Sequence, residues 1–308
     1  MKGLITTTIS FCKYTDEPIA KLREKGFEII KDYGLKELEN MSEEKRKDVE
    51  AIVVGLEKVT SEVMDLLPNL KAIAKHGAGT DNIDSVEAKK RNIQVFNVPG
   101  ANSTAVADLA FGFMLDASRM ISRADRSVRN GKWERFYGVE LEGKTLSILG
   151  FGAIGKAVAK RAQGFGMKVI AYDVIKSDFE GVEFVSIEEA IKRADYLTLH
   201  MPLIEATKHV INEKTISMMK STAFIVNAAR GGLIDENALL DALENKKIAG
   251  AGLDVFETEA NVNPRFFALD NVVLTPHIAG FSEEAINRIS IKCAEYILEC
   301  CCTEEGQC

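Results

Sequence analysis

No run of about 18 apolar residues occurs anywhere in this 308-residue chain, which excludes a membrane-spanning helix. Concentrated basic charge is missing too. The formal net charge is −7, and the run Lys45-Arg46-Lys47 is flanked by Glu43, Glu44 and Asp48. It reads as a solvated helix face, and a nucleic-acid partner, which needs a clustered basic surface, is excluded. Aromatic residues make up only 7% against 46% hydrophobic overall, and no low-complexity tract is present, so the composition is that of a globular protein. Cysteine is nearly absent until the end, where Cys293, Cys300, Cys301, Cys302 and Cys308 crowd together. A disulfide framework would spread its cysteines, so a reducing cytoplasm is expected. Met1 to Phe11 lacks the apolar stretch of a signal peptide.

What the chain does have is a rhythm of short β-rich runs alternating with longer amphipathic ones. Strands are expected at Gly3–Thr7, Phe27–Ile30, Ala51–Val54, Lys71–Ala74 and Ile93–Phe96, with helices between them. After Pro99-Gly100 one long helix is expected from Ser103 to about Asn130, and βαβ units resume at Lys144. The second set of strands is Thr145–Leu149, Lys168–Tyr172, Tyr196–Leu199, Ala223–Asn227, Gly250–Val255 and Val272–Thr275. Such alternation predicts an α/β fold of two doubly wound parallel-sheet domains. The expected division is 1–101, completed by the closing helix in 282–308, and 102–281.

Gly150-Phe151-Gly152-Ala153-Ile154-Gly155 follows an apolar strand and opens a helix. Gly150 permits the tight turn, Gly152 lets the backbone approach a pyrophosphate, and Gly155 lets helix and sheet pack closely. The helix amides and dipole then favour the phosphates. Asp173, at the end of the next strand, is placed to accept the ribose hydroxyls of NAD and to repel the extra phosphate of NADP.

Three polar residues stand at later strand ends: Arg230 in Asn227-Ala228-Ala229-Arg230-Gly231-Gly232, Glu259 after Leu253-Asp254-Val255-Phe256, and His277 in Thr275-Pro276-His277. In a parallel sheet the ligand crevice lies at those ends. Arg offers a planar fork for a carboxylate, His transfers protons near neutral pH, and a carboxylate beside it steadies the imidazolium. Together they suit hydride exchange at C2 of a small 2-hydroxy acid. Asp254 is open between a structural role and contact with the nicotinamide ribose.

With these motifs and the block Lys75-His76-Gly77-Ala78-Gly79-Thr80-Asp81-Asn82-Ile83-Asp84, the chain resembles the D-isomer-specific 2-hydroxyacid dehydrogenase family. Within it the blocks look like those of short-form D-3-phosphoglycerate dehydrogenase. The resemblance implies a flavodoxin-like substrate lobe and a Rossmann NAD lobe with a cleft between them, and a homodimer through the NAD lobe. It implies Arg230 on the substrate carboxylate and Glu259 with His277 as the acid/base pair. It implies Ala78, Gly150, Gly152, Ala153, Ile154, Gly155, Asp173, Pro202, Ala228, Ala229, Arg230, Asp254, His277 and Gly280 at the cofactor, and Lys58, His76, Gly77, Ala78, Gly79 and Arg230 at the substrate. No metal is expected, nor a serine-sensing regulatory domain.

The chain departs from the family's pattern at three places. Ala260 follows Glu259 where proline is usual, Asp108 replaces a glutamate, and Leu56-Glu57-Lys58 stands where phosphoglycerate enzymes commonly carry Arg and Ser. The expected substrate is 3-phosphoglycerate, in serine biosynthesis. The enzymatic alternative is reduction of glyoxylate or hydroxypyruvate, which would differ near Lys58, Lys75, His76 and Arg135. The alternative of another class is an NAD(H)-sensing binding protein.

Overall fold

Five parallel strands form the first sheet: β1 Lys2–Thr6, β2 Phe27–Lys31, β3 Val49–Val54, β4 Ala72–Lys75 and β5 Gln94–Phe96, in the order β2-β1-β3-β4-β5. Our computed structural model describes residues 2–302 and separates into two units. One unit runs to Asn102 and resumes at Gly280, and the other is Ser103–Ala279. In the first unit, alternate residues of β3 face opposite layers, as a strand's period of two requires. Ala51 and Val53 pack with Leu4, Ala72, Ala74, Ile289, Cys293 and Ile297, while Ile52 and Val54 pack with Ile5, Ile73, Met64 and Leu67. Burying each of the valine, leucine and isoleucine side chains contributes roughly 1.5–3 kcal/mol, and burial of Ile289 and Ile297 is what draws the chain's last helix, Glu283–Cys301, back onto the first sheet. Arg288 near the start of that helix donates to the Ala101 carbonyl at 3.0 and 2.8 Å.

The cysteine-rich end is thereby explained in part. Cys293 and Cys301 are buried core residues of the helix, and burial pushes the Cys301 thiol up to about 12. Cys308, and residues 303–308 of the expected closing segment, lie outside the described residues.

The second unit carries seven parallel strands, β6 Thr145–Leu149, β7 Lys168–Tyr172, β8 Val182–Phe184, β9 Tyr196–Leu199, β10 Phe224–Asn227, β11 Gly250–Leu253 and β12 Val272–Leu274. Their order is β12-β11-β10-β9-β6-β7-β8, so the winding reverses between β6 and β9. Both units are thus doubly wound parallel α/β structures. The helix Ser103–Arg119 packs Phe113 against β11 at Gly252, where a Cβ would lie 2.6 Å from the Phe113 ring. Glycine in mid-strand here admits the aromatic side chain.

The single long helix expected from Ser103 to Asn130 is corrected. The chain forms two helices, Ser103–Arg119 and Ile121–Arg129, broken at Met120, which takes a left-handed φ of 54°. Asp116 reaches across the break and accepts from the Ser122 amide at 2.7 Å and from its hydroxyl. That carboxylate caps the second helix from within the first. Among the described residues no helix is long and apolar enough to cross a membrane.

Candidate active site

Every motif singled out in the second unit falls at the carboxyl end of one of its strands. Gly150 follows β6 with φ +95°, a conformation that L side chains rarely adopt, and a Cβ there would lie 2.6 Å from the His200 carbonyl beyond β9. Gly152 ends the turn and stands ahead of the 12-residue helix Ala153–Gly164, without a side-chain cap and with open space around its missing Cβ. Gly155 lies against the Gly150 carbonyl, too close for a side chain. The first-turn amides of this helix, from Ala153 and Ile154 onward, are left for an outside acceptor.

Asp173 follows β7. Its Oδ2 accepts from the Phe151 amide at 2.6 Å and its Oδ1 from the Ile175 amide at 2.9 Å. An ionised carboxylate offers about four acceptor sites, so both oxygens keep capacity for ribose hydroxyls. Val174 and Ile175 beside it are 86% and 77% exposed, an apolar surface next to the polar anchor. A small apolar group of Val106, Ala228 and Ala279 packs with Leu109 and Ile154, the second residue of the helix Ala153–Gly164. Open helix amides, an anchored carboxylate and nearby apolar side chains fit an NAD molecule, whose pyrophosphate Gly150–Gly155 would hold and whose adenosine ribose Asp173 would hold. Replacing Asp173 with Ala is expected to lower the ratio of kcat/KM for NADH over NADPH by about tenfold, the value of one lost charge-assisted interaction. An unchanged ratio would mean that another group sets the preference.

His200 and Pro202 follow β9 at the point where the winding reverses. The His200 Nε2 pairs with the Thr198 hydroxyl at 2.9 Å, whereas its Nδ1 is buried without a partner. Burial lowers the His200 pKa to about 3, and His76 in the first unit is lowered to about 4 by burial and then by the neighbouring Lys75 ammonium. Both are neutral in the fold and charged in the unfolded chain below about pH 6.5. The unfolded state therefore binds more protons, and the stability these residues contribute above that pH is lost as pH falls towards 4 and 3. Each adds a slope of up to about 1.4 kcal/mol per pH unit in that window. His200→Gln should weaken the fall of Tm between pH 7 and 4, read by thermal melts. Parallel falls in variant and wild type would refute it.

Arg230 follows β10 in an extended backbone conformation. Buried Asn227, at the strand's last position, pins this loop: its amide donates to the Arg230 carbonyl at 2.9 Å and its Oδ1 accepts from Ala229 at 3.1 Å. Gly231 then packs so tightly on the Phe256 carbonyl that no Cβ would fit, which joins the β10 and β11 loops.

Past β11 and β12 the two remaining residues meet. His277 Nδ1 lies 2.8 Å from Glu259 Oε1, and both side chains are partly exposed. His277 has a left-handed φ of 54°. Asp254 holds that turn. It is fully buried, its Oδ1 accepts from the Thr275 hydroxyl at 2.5 Å and the Ile278 amide at 2.8 Å, and its Oδ2 accepts from the Ala279 amide at 2.8 Å. These contacts describe a carboxylate that shapes the histidine loop. Ala260, next to Glu259, sits at φ 61°, a conformation closed to proline, whose ring holds φ near −65°. The loop reaches His277 by a different turn from the one a proline would impose.

The remaining expected residues belong to the first unit. Gly77, Ala78 and Gly79 follow β4, with the Asn97 amide on the Ala78 carbonyl at 2.6 Å. His76 has both ring nitrogens engaged, Nδ1 with Ser10 at 3.3 Å and Nε2 with Ser290 at 3.0 Å. The Ser290 oxygen also accepts from the Cys12 amide at 3.0 Å. Lys58 is exposed, and Gly280 packs near Asn102. Sequence reasoning missed Asn227 and Thr275 as supports. Both were visible only as polar residues at strand ends. Among the described residues no three His, Cys, Asp or Glu side chains gather as a metal-binding group.

A doubly wound sheet with a glycine turn at its reversal point, and a carboxylate-backed histidine on the same rim, defines a nicotinamide-dependent oxidoreductase. Comparison with known proteins sharpens this. Residues 111–279 match the family model described as D-isomer specific 2-hydroxyacid dehydrogenase, NAD binding domain. The chain is 46% identical to a hydroxypyruvate reductase of Thermotoga maritima over 278 residues, 85% of this chain and 91% of that one. It is 45% identical over 289 residues to a D-3-phosphoglycerate dehydrogenase of Methanocaldococcus jannaschii, covering 91% of this chain and 55% of that one. Among solved structures, a glyoxylate reductase from Paecilomyes thermophila superposes with a TM-score of 0.87 at 31% identity, covering 99% of this chain and 96% of that one. The chain belongs to the D-isomer specific 2-hydroxyacid dehydrogenase family and is an NAD-dependent oxidoreductase.

Proposed function

We propose that the chain interconverts a small D-2-hydroxy acid and its 2-oxo acid, with His277, Glu259 and Arg230 as the catalytic set. The observation that carries this reading is the 2.8 Å contact between His277 Nδ1 and Glu259 Oε1. A carboxylate at Nδ1 accepts the Nδ1 proton and leaves Nε2 to face the substrate and exchange a proton with it. In the reducing direction the imidazolium gives its Nε2 proton to the carbonyl oxygen of the 2-oxo acid, and Glu259 stabilises the cation until it does. In the oxidising direction neutral Nε2 removes the hydroxyl proton. Arg230 grips the substrate carboxylate through its fork and draws electron density from the neighbouring C2 carbonyl. The NAD nicotinamide, when bound, supplies or takes the hydride. The amides of Gly77–Gly79 are proposed as a further substrate contact on the sequence resemblance.

Relatives named for hydroxypyruvate, glyoxylate and 3-phosphoglycerate share comparable identity with the chain, so identity alone does not choose the tail. The test is NADH consumption with hydroxypyruvate, glyoxylate, phosphohydroxypyruvate and 2-oxoglutarate in parallel. Turnover of at least one supports the reading, and turnover of none defeats it.

A further inference from the structure

In the second unit the loop that carries Glu259 is tied down at Glu257, two residues ahead of it. The Glu257 amide donates to Glu236 Oε1 at 2.5 Å, and Glu257 Oε1 lies 2.5 Å from His209 Nε2. Glu236 opens the helix Glu236–Glu244 after β10, and His209 lies in the loop after β9. Gly231, beside Arg230, closes on the same peptide, where a Cβ would lie 2.5 Å from the Glu257 amide nitrogen.

These supports are themselves fixed. His209 takes a left-handed φ of 50°, its amide donates to the Gly232 carbonyl at 2.9 Å, and its carbonyl accepts from the Asn212 side chain at 2.8 Å. The Asp235 carboxylate caps the helix by accepting from the Asn237 and Ala238 amides at 3.1 Å, which sets where Glu236 stands. The same helix holds the far side of the loop. Arg265 donates to Asp241 at 2.6 Å and to Glu244 at 2.9 and 2.7 Å, and Phe266 beside it is buried. Exposed ion pairs of this kind add little to global stability, so their effect is on where the loop lies. Between the two anchorages Glu259 belongs to no helix or strand, and Ala260 follows it at φ 61°. Its aim at His277 therefore depends on where the loop is tied.

We propose that Glu236 and His209 are positioning residues: by fixing the amide and the side chain of Glu257 they hold Glu259 within hydrogen-bond reach of His277. The imidazole of His277 is met by Glu259, and Glu236 and His209 act through it. This rests on the proposed chemistry of the His277–Glu259 pair. A carboxylate favours the imidazolium only at short range, so a loop that drifts lets His277 give up its proton at lower pH.

The test uses the full chain, with NADH and a 2-oxo acid of the panel that is turned over, across pH. Glu236→Ala removes the acceptor; it should lower kcat/KM about tenfold and move the alkaline limb of the profile down by about one pH unit. Glu236→Gln keeps an acceptor and should stay within about twofold of wild type. His209→Asn accepts the left-handed backbone but is too short to reach Glu257, and should behave like Glu236→Ala. In a Glu259→Gln background neither change should lower activity further, whereas a general structural defect would add to the loss. Proton NMR titration of the His277 ring, assigned by its absence in His277→Asn, reads the same downward shift without turnover. Should Glu236→Ala not fold, His209→Asn carries the same test. A wild-type rate and pH profile in both folded variants, or a loss undiminished in the Glu259→Gln background, overturns the proposal. If no 2-oxo acid is turned over, the functional reading fails by itself, and the ring titration still decides the role of Glu236 and His209.

Discussion

Replacing His277 with Asn is expected to lower kcat by about 10²–10⁴-fold, the usual contribution of a positioned general acid/base, while NADH binding stays near wild type. Asn is the informative choice because His277 has φ 54°, and Asn is among the few residues that accept the left-handed region. The backbone of the turn should survive, since it is held by Asp254: the His277 amide donates to the Asp254 carbonyl at 2.8 Å, and the Asp254 carboxylate takes the Ile278 and Ala279 amides. The loss would then report proton transfer and not a collapsed loop. Adding Glu259→Gln to this variant should cost little more, because Glu259 acts through the imidazole that is no longer there. Stopped-flow binding of NADH and steady-state turnover separate the two effects. Near-normal turnover in His277→Asn would remove the histidine from the mechanism.

Arg230→Gln is expected to reduce kcat/KM for a 2-oxo acid by about a thousandfold, and Arg230→Lys by about a hundredfold. Losing one member of a desolvated charge pair costs roughly 2–5 kcal/mol, which spans that range. Lysine keeps the charge but presents a point donor in place of a planar fork, so it recovers only part. Asn227 supports the loop through the Arg230 carbonyl and the Ala229 amide, whereas the guanidinium donates to the Ala229 carbonyl at 2.8 Å. Thermal melts should therefore fall by far less than activity does. A loss confined to stability, with kcat/KM per folded molecule preserved, would mean that Arg230 does not hold the acid.

Much of this site was legible before the structure, and for physical reasons. A strand feeding Gly-x-Gly-x-x-Gly and a helix is a local pattern, and the turn it requires is visible at Gly150. Arg230, Glu259 and His277 were legible because each follows a run of strand-forming residues. Parallel pairing of β10, β11 and β12 then sets their carboxyl ends side by side. Other features depend on distant contacts. The helical period runs on either side of Met120, and only the Asp116 carboxylate and a left-handed residue reveal the break. The three-residue edge strand β8 is too short to show a period. Glu57 lies in the segment after Gly55, where phosphoglycerate enzymes commonly carry Arg and Ser. Its inward fold onto Thr7 needs β1 and β3 paired, which joins residues 50 positions apart. Sequence spacing carries no trace of that.

Hydride exchange at C2 of a D-2-hydroxy acid is tested by following NADH with hydroxypyruvate and then resolving the product's chirality. NADH should be consumed, and the D-hydroxy acid alone should accumulate. An L product, or no consumption with any 2-oxo acid of the panel, would contradict it.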